Sequence, residues 1–474
     1  MPVRTVNKAF PTAKGAGAYA LGGTGGQVIH VTTLVWDAAG GLKEALQTTG
    51  ARTIVFDVSG EIDATSESDF SVLINGSSFD NVTIAGQTAP HGGITVRTSE
   101  FIFQNVDNVI CRYIRFRNTG ISQDALWLIN CNNIIFDHCT FSHGGDEAAS
   151  ISASSGVQSN ATFQHCFFQD SSTGMIMGVD GGGGTYSCIS NLFSNISHRF
   201  CNTKGLGRYD IINNVVYNWK ARLCRFQEGG EQNLINNYYK PSIGGLRDPG
   251  WYGNGSTRNV QHKIGVFTND IVPVTDFPVV YAAGSIITGE RETPQADDSD
   301  TFTAFFGSTA ASENDPVPSK YFTSSQYALN GESFPIITAS QSYIDVLSDV
   351  GANRTLNADG SINSYQDTKD SADILMAQND TYSGAFYDPR SSIPYPVIPQ
   401  NIRPVGYYNN SKSPDIPEAW FDANMVQGQT SSDLAPSGYT FMEEFLNMEA
   451  STPVDPPTLT GSRRNTQQKL IVLW

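Results

Sequence analysis

Short runs that alternate β-branched or aromatic residues with polar ones recur from about Asn108 to Lys240. They include Asn108-Val-Ile-Cys-Arg-Tyr-Ile-Arg-Phe116, Asn133-Ile-Ile-Phe-Asp-His-Cys-Thr-Phe141 and Asn160-Ala-Thr-Phe-Gln-His-Cys-Phe-Phe168. Ser187-Cys-Ile-Ser-Asn-Leu-Phe193, Ile211-Ile-Asn-Asn-Val-Val216 and Leu234-Ile-Asn-Asn-Tyr-Tyr239 continue the series. Aligned, they give a column Ile114, Cys139, Cys166, Asn191, Asn214, Asn237, with steps of 25, 27, 25, 23 and 23 residues. A second column, Phe116, Phe141, Phe168, Phe193, Val216, Tyr239, has the same steps. A period of ~20–30 residues built from short alternating strands predicts a parallel β-helix, in which each coil stacks on the last. The apolar column predicts a dry interior stack. The three successive Asn predict an amide ladder bonded from coil to coil at the ~4.8 Å strand spacing.

Outside the repeat the pattern changes. Residues 9–34 are rich in Gly and Ala and end in Gln27-Val-Ile-His-Val-Thr32. Leu42-Lys-Glu-Ala-Leu46 predicts a short amphipathic helix that covers the open end of the solenoid, where strand edges are otherwise unpaired. Helices are also predicted at Gln341–Val350, Ser371–Met376 and Phe441–Asn447, among loops rich in Pro, Ser and Asp. The expected layout is a cap over 1–50, a parallel β-helix with the functional groove over 51–290, and a loop-rich extension packed on it over 291–474.

Composition narrows the function. Charged residues are only 16% of the 474, there are 45 Gly, and the net charge is −17. No broad basic field exists to displace counterions, which argues against a nucleic-acid partner. No apolar run of 18 residues is present, so no membrane span is expected. The N-terminus Met1-Pro-Val-Arg-Thr-Val-Asn-Lys8 carries no apolar signal region. Either a signal was removed before the numbering starts, or the protein is not exported by one. Seven cysteines, all within the repeat and none in CxxC spacing, read as buried apolar thiols rather than a disulfide framework. Gly22-Gly-Thr-Gly-Gly26 neither follows a strand nor opens a helix, and Gly181–Gly184 lacks a following Lys-Ser/Thr. Neither is a phosphate loop; the second reads as a wide turn at the rim of the binding face.

Several phrases resemble the bacterial pectate lyases of polysaccharide lyase family one, of the pectate trisaccharide-lyase type. They are Ala9-Phe-Pro-Thr-Ala-Lys-Gly-Ala-Gly17, Val55-Phe-Asp-Val-Ser-Gly-Glu-Ile62, Thr83-Ile-Ala-Gly-Gln-Thr-Ala-Pro90, Phe136-Asp-His-Cys-Thr-Phe-Ser142 and Asn214-Val-Val-Tyr-Asn-Trp219. Pro414-Asp-Ile-Pro-Glu-Ala-Trp420 and Gly438-Tyr-Thr-Phe-Met-Glu-Glu-Phe-Leu-Asn447 extend the likeness into the tail. The resemblance implies an all-β fold, a right-handed parallel β-helix with a short helical cap and a C-terminal loop-and-helix extension. It also implies Ca2+-assisted β-elimination of an acidic polysaccharide, with extracellular action.

That chemistry removes a weakly acidic C5 proton while cations neutralise the adjacent carboxylate. By resemblance the base, an arginine, falls on Arg199, and Lys204 stands for a second positive charge. The calcium carboxylates fall on Asp124 and Asp146. A third carboxylate of the family is replaced here by Ser150, and the family's substrate-binding Lys is missing near Ser172 and Thr173. Glu147 is a substitute ligand, although alternation along a strand would turn it to the other face. Tyr209, Trp219, Arg222 and Arg225 suit sugar stacking and carboxylate pairing on an exposed solenoid face; core packing is the competing role for Trp219. Asp124 and Asp146 also sit beside coil turns, where Asp is common without a metal. His138 and His165 share one column and read as turn partners rather than ligands. The alternative function is a non-catalytic carbohydrate-binding or structural β-helix on a virion or cell surface. A lyase would be a monomer, whereas a virion component would be a homo-oligomer or assembly partner.

Overall fold

The computed structural model of the chain describes residues 4, 8–66, 71–119, 123–154, 159–178, 182–219, 223–242, 265–269, 278–306, 317–381, 395–409 and 411–447. Among the described residues, three long sheets of ten, ten and nine strands make up the solenoid. Each coil contributes one strand to each sheet in turn. The first sheet runs from Gln27–Val31 to Val279–Ala283, and the third from Ser71–Asn75 to Phe302–Phe306. The second runs from Val58–Asp63 to Ile286–Ile287, with Asn401–Ile402 added antiparallel at its edge. All other pairings within these sheets are parallel and in register. This is the predicted parallel β-helix.

The sequence columns are the interior ladders. Phe116, Phe141, Phe168, Phe193, Val216 and Tyr239 are successive register partners in the second sheet. The four Phe rings stack face to face with centroids 5.4, 5.2 and 4.6 Å apart. Between the first and second sheets every coil of the repeat turns on one residue with left-handed backbone. These are Tyr113, His138, His165, Ser190, Asn213 and Asn236, with φ between 50° and 58°. Such a conformation costs a non-glycine residue about 1–2 kcal/mol. The next side chain helps offset that cost. Asn214 Oδ1 accepts from both the backbone N and the Nδ2 of Asn191, each at 3.0 Å, and Asn237 Oδ1 does the same for Asn214 at 2.9 and 3.0 Å. Asn191 Oδ1 in turn accepts from Cys166 N at 2.7 Å. All three Asn are buried, and the seven cysteines are buried free thiols.

The rest of the chain covers outer faces. At the open end of the solenoid, helix Leu42–Gln47 buries Leu42, Ala45 and Leu46. Helices Ala339–Ser348 and Thr368–Asn379 press Val346, Leu347 and Ile374 onto Phe167, Leu192, Val215 and Tyr217 outside the second sheet. Helices Glu418–Asn424 and Phe441–Leu446 pack Phe421, Phe441 and Phe445 near Val55 and Ala85 outside the first. The third sheet keeps exposed apolar side chains on its outer face, with Leu73 49% and Trp127 36% exposed. No helix among the described residues is long and apolar enough to cross a membrane.

Buried charge fixes the extension in place. Arg117 Nη2 lies 2.6 Å from Asp367 and 3.0 Å from Asp370, and Arg115 Nε lies 3.0 Å from Asp367. His138 lies between Asp137 at 3.0 Å and Asp349 at 3.3 Å, stacked on Tyr113 and His165. The His138 and His165 planes differ by 3° with centroids 4.8 Å apart. Ring lone pairs lie in the ring plane, so two such parallel rings do not converge on one ion, and His138, His165 and Asp349 form a turn stack rather than a metal centre.

Replacing Asn214 by Leu strands the Asn191 donors and an Asn237 acceptor in the core, and is expected to lower the unfolding free energy by about 1–3 kcal/mol in a denaturant titration. His138 gives a pH signature. Burial opposes its charge, but Asp137 and Asp349 outweigh burial and raise it to about 8 from 6.5. A raised pKa stabilises the fold fully below pH 6.5 and loses that contribution as pH rises through 8, a change of about 2 kcal/mol. Thermal unfolding of wild type at pH 6 and pH 9 should show this loss, and His138→Gln should flatten it.

Candidate functional site

The third sheet brings three carboxylates and one guanidinium together. Asp124 precedes strand Leu126–Ile129, and Asp146 and Glu147 stand at the start of strand Glu147–Ser152 on the following coil. One oxygen from each lies within 4.8 Å of the others. Arg199 comes two coils later, ahead of strand Asn202–Lys204. Its Nη1 reaches back to within 3.2 Å of Asp146 Oδ1 and pairs directly with Glu147 Oε1. The intervening coil is kept low where Arg199 crosses it. Its Gly174 donates to His198 O at 2.8 Å, and a Cβ at Gly174 would stand 2.3 Å from Arg199 O. Arg199 itself has left-handed backbone with φ 69°, which tilts the chain out of the strand path.

Glu147 corrects the alternation argument. Alternation turns it away from Asp124 and Asp146, yet its carboxylate joins theirs. The strand has only begun at Glu147, after the Gly145-Asp146 bend, and two contacts hold it: its backbone N donates to Asp124 Oδ1 at 2.9 Å, and its side chain meets Arg199. Ser150, which stands where the family has a third carboxylate, is buried beside the cluster. Burial raises the Asp124 carboxyl to about 7; the Ser150 hydrogen bond opposes this, the Asp146 charge adds to it, and Arg199 pulls it down. Thr173, in register with Glu147, places its hydroxyl 3.5 Å from Asp146 Oδ1, where the missing Lys would have been expected.

The proposed sugar contacts divide. Tyr209 and Trp219 are corrected to core residues. They are 1% and 5% exposed; Tyr209 stacks on Tyr186 at 5.3 Å and donates its hydroxyl to Lys204 O at 2.7 Å. Both point inward because their position in the strand alternation faces the solenoid interior, so no ring face is offered to a sugar. Arg222 and Gly181 lie outside the described residues. Arg225 is half-buried, and its backbone N donates to Asn202 Oδ1 at 2.7 Å. Lys204 is half-buried at the far end of its strand, in register with Gly178 and Gln227. The aromatic that does face outward here is Trp127, three residues after Asp124, with its indole N–H on Ser152 Oγ at 3.2 Å. A polar-facing Trp between Leu126 and Leu128 was the available sequence signal.

No family model matches the chain. Proteins named probable pectate lyase C do match. That of Aspergillus fumigatus (strain CBS 144.89 / FGSC A1163 / CEA10) is 40% identical over 205 residues, covering 42% of this chain and 45% of the relative. That of Emericella nidulans is 39% identical over 205 residues with the same coverage. Over that stretch the chain is similar to proteins named probable pectate lyase C. The matching curated relatives are fungal rather than bacterial, and the chain spans just under half of their length. A solved pectate lyase bound to a hexasaccharide superposes with a TM-score of 0.50 at 15% identity, over 73% of this chain and 98% of that one. At that identity the likeness is one of fold, the parallel β-helix.

Because Tyr209 and Trp219 are core, Trp219→Leu is expected to lower the melting temperature, by several degrees for a loss of about 2–4 kcal/mol. Any polyuronate binding measured by calorimetry should stay within twofold of wild type at a temperature where the variant is folded.

Proposed function

We propose that the protein is a polysaccharide lyase that cleaves a pectate-like, uronate-containing polysaccharide by Ca2+-assisted β-elimination, of the family-one type. The observation that carries this reading is the Asp124, Asp146, Glu147 and Arg199 cluster on the third sheet. Three carboxylates make an all-oxygen donor set, the kind that suits a hard cation such as Ca2+. The Arg199 guanidinium already stands there as a positive charge. Glu147 supplies the third carboxylate that Ser150 cannot, which weakens the case for an inert scaffold. Calcium, when bound, supplies positive charge against the uronate carboxylate as the C5 carbanion develops.

The chain's own residues do the rest. Asp124, Asp146 and Glu147 would hold the cation. Arg199 takes the proton from C5; the electron pair left behind forms the C4–C5 double bond as the C4–O4 bond of the same sugar breaks, and that oxygen departs on the neighbouring sugar, where it takes up a proton. An arginine is a poor base in water, so the step needs a guanidinium whose charged form has lost stabilising partners. Lys204 and Arg225 pair with substrate carboxylates further along the stack. With such a substrate the protein works outside the cell as a monomer.

The test is absorbance of new unsaturated uronate ends on a panel of polyuronates, with Ca2+ and with chelator. Wild type should be active only with Ca2+. Arg199→Lys should lose roughly 10²–10⁴-fold in turnover while keeping its fold by circular dichroism. Absence of activity on every polyuronate would sink the lyase reading.

A further inference from the structure

Resting on that reading of the carboxylate cluster, we infer that Arg199 and the divalent cation exchange in one seat: the guanidinium occupies it in cation-free protein, and cation entry is what releases Arg199 toward the substrate.

The contacts that carry this are specific. Arg199 Nη1 is bonded to Glu147 Oε1 and lies 3.2 Å from Asp146 Oδ1, two of the three groups that would ligate the cation. Calcium takes oxygens at about 2.3–2.6 Å and draws six to eight of them around itself. The oxygens that now face Arg199 would have to turn to the ion. A divalent ion and a guanidinium within one such cluster also repel each other, and the repulsion is strong in a partly buried site. The Glu147 side chain is only 5% exposed, so its charge needs a positive partner at all times. In the cation-free protein that partner is Arg199, and in the loaded protein it is the ion.

The geometry also sets where the guanidinium goes. Arg199 is anchored two coils beyond Asp146: on the coil between, Met175 N donates to Arg199 O at 2.6 Å and Gly174 N to the preceding His198 O at 2.8 Å. Its side chain is 25% exposed and Asp146 is 53% exposed, so the contact lies at the open side of the cluster. Released, the side chain can move outward over the third sheet without disturbing the core. There it loses its two carboxylate partners. The exchange therefore couples two requirements of the proposed reaction, since the base is disengaged only when the charge that stabilises the carbanion is in place.

Competition for one seat makes an unusual demand on binding. Removing a residue from the site should tighten the cation, because nothing then has to be displaced. Ca2+ alone is titrated calorimetrically into the full chain, without sugar, as wild type, Arg199→Ala, Arg199→Gln and Glu147→Gln, each checked for fold by circular dichroism. Arg199→Ala and Arg199→Gln are expected to bind Ca2+ on the order of tenfold more tightly than wild type, within the range usual for coupled sites. Glu147→Gln is expected to bind more weakly. Equal or weaker binding in both Arg199 variants overturns the exchange and leaves the cation site standing. Absence of binding in wild type and all variants overturns both the exchange and the calcium reading.

Discussion

Everything in this molecule depends on coils stacking in register at the strand spacing. A side chain inside a parallel β-helix has its counterparts directly above and below, so its partners are set by the repeat and not by distant sequence. The Asn191, Asn214 and Asn237 ladder shows the consequence. The Asn214 and Asn237 amide oxygens each take two donors from the preceding coil and that of Asn191 takes one, and each amide N–H₂ also donates to a backbone carbonyl, Phe163 O, Cys188 O or Ile211 O. Those bonds lie beside the left-handed corners at Ser190, Asn213 and Asn236, where the chain leaves one sheet for the next. The same stacking places the Phe116 to Phe193 rings face to face and leaves little freedom for either column to shift alone.

Stacking fixes the faces of the prism, and the extension decides which of them remain open. The first and second sheets are covered through apolar contacts with the C-terminal helices. The second also carries buried Arg115 and Arg117, which meet Asp367 and Asp370 at the start of helix Thr368–Asn379. A buried ion pair adds little over a well-packed apolar one, but breaking it leaves an uncompensated charge and is costly. Such a network specifies where the helix docks more than it adds stability. Among the described residues, the third sheet is the one the helices do not cover, with its exposed apolar residues and its edge of carboxylates.

At that edge the fold holds like charges together. Asp124, Asp146 and Glu147 come from two adjacent coils, so the strand spacing itself sets how close they stand. Burial raises the Asp124 carboxyl, and the Asp146 charge adds to that rise. Arg199 relieves part of that repulsion from two coils away. A site that is poorly compensated without a cation is one in which cation binding has a large effect on the groups around it, and the proposed function and the exchange at Arg199 both draw on this.

How much of this was legible in the sequence follows from which forces are local. The ladders were legible because the same residue types return at a nearly constant step, and a step is a property of the chain alone. Asp124, Asp146 and Arg199 were found through their matching phrases, and their meeting on one face follows from the stacking. The inward turn of Tyr209 and Trp219 was not legible, because the phase of strand alternation depends on where each corner falls, and a one-residue change reverses it. Glu147 was named as a substitute ligand, and only the alternation reservation against it failed, for the related reason that a strand's first residue need not obey the alternation beyond it. The pairing of Arg117 with Asp370 spans 253 residues and has no periodic signal. The sequence by itself determined the solenoid, because its contacts repeat between neighbouring coils. Only the tertiary structure decided which faces are covered, which aromatics are core and which carboxylates share Arg199, because those depend on elements that meet once.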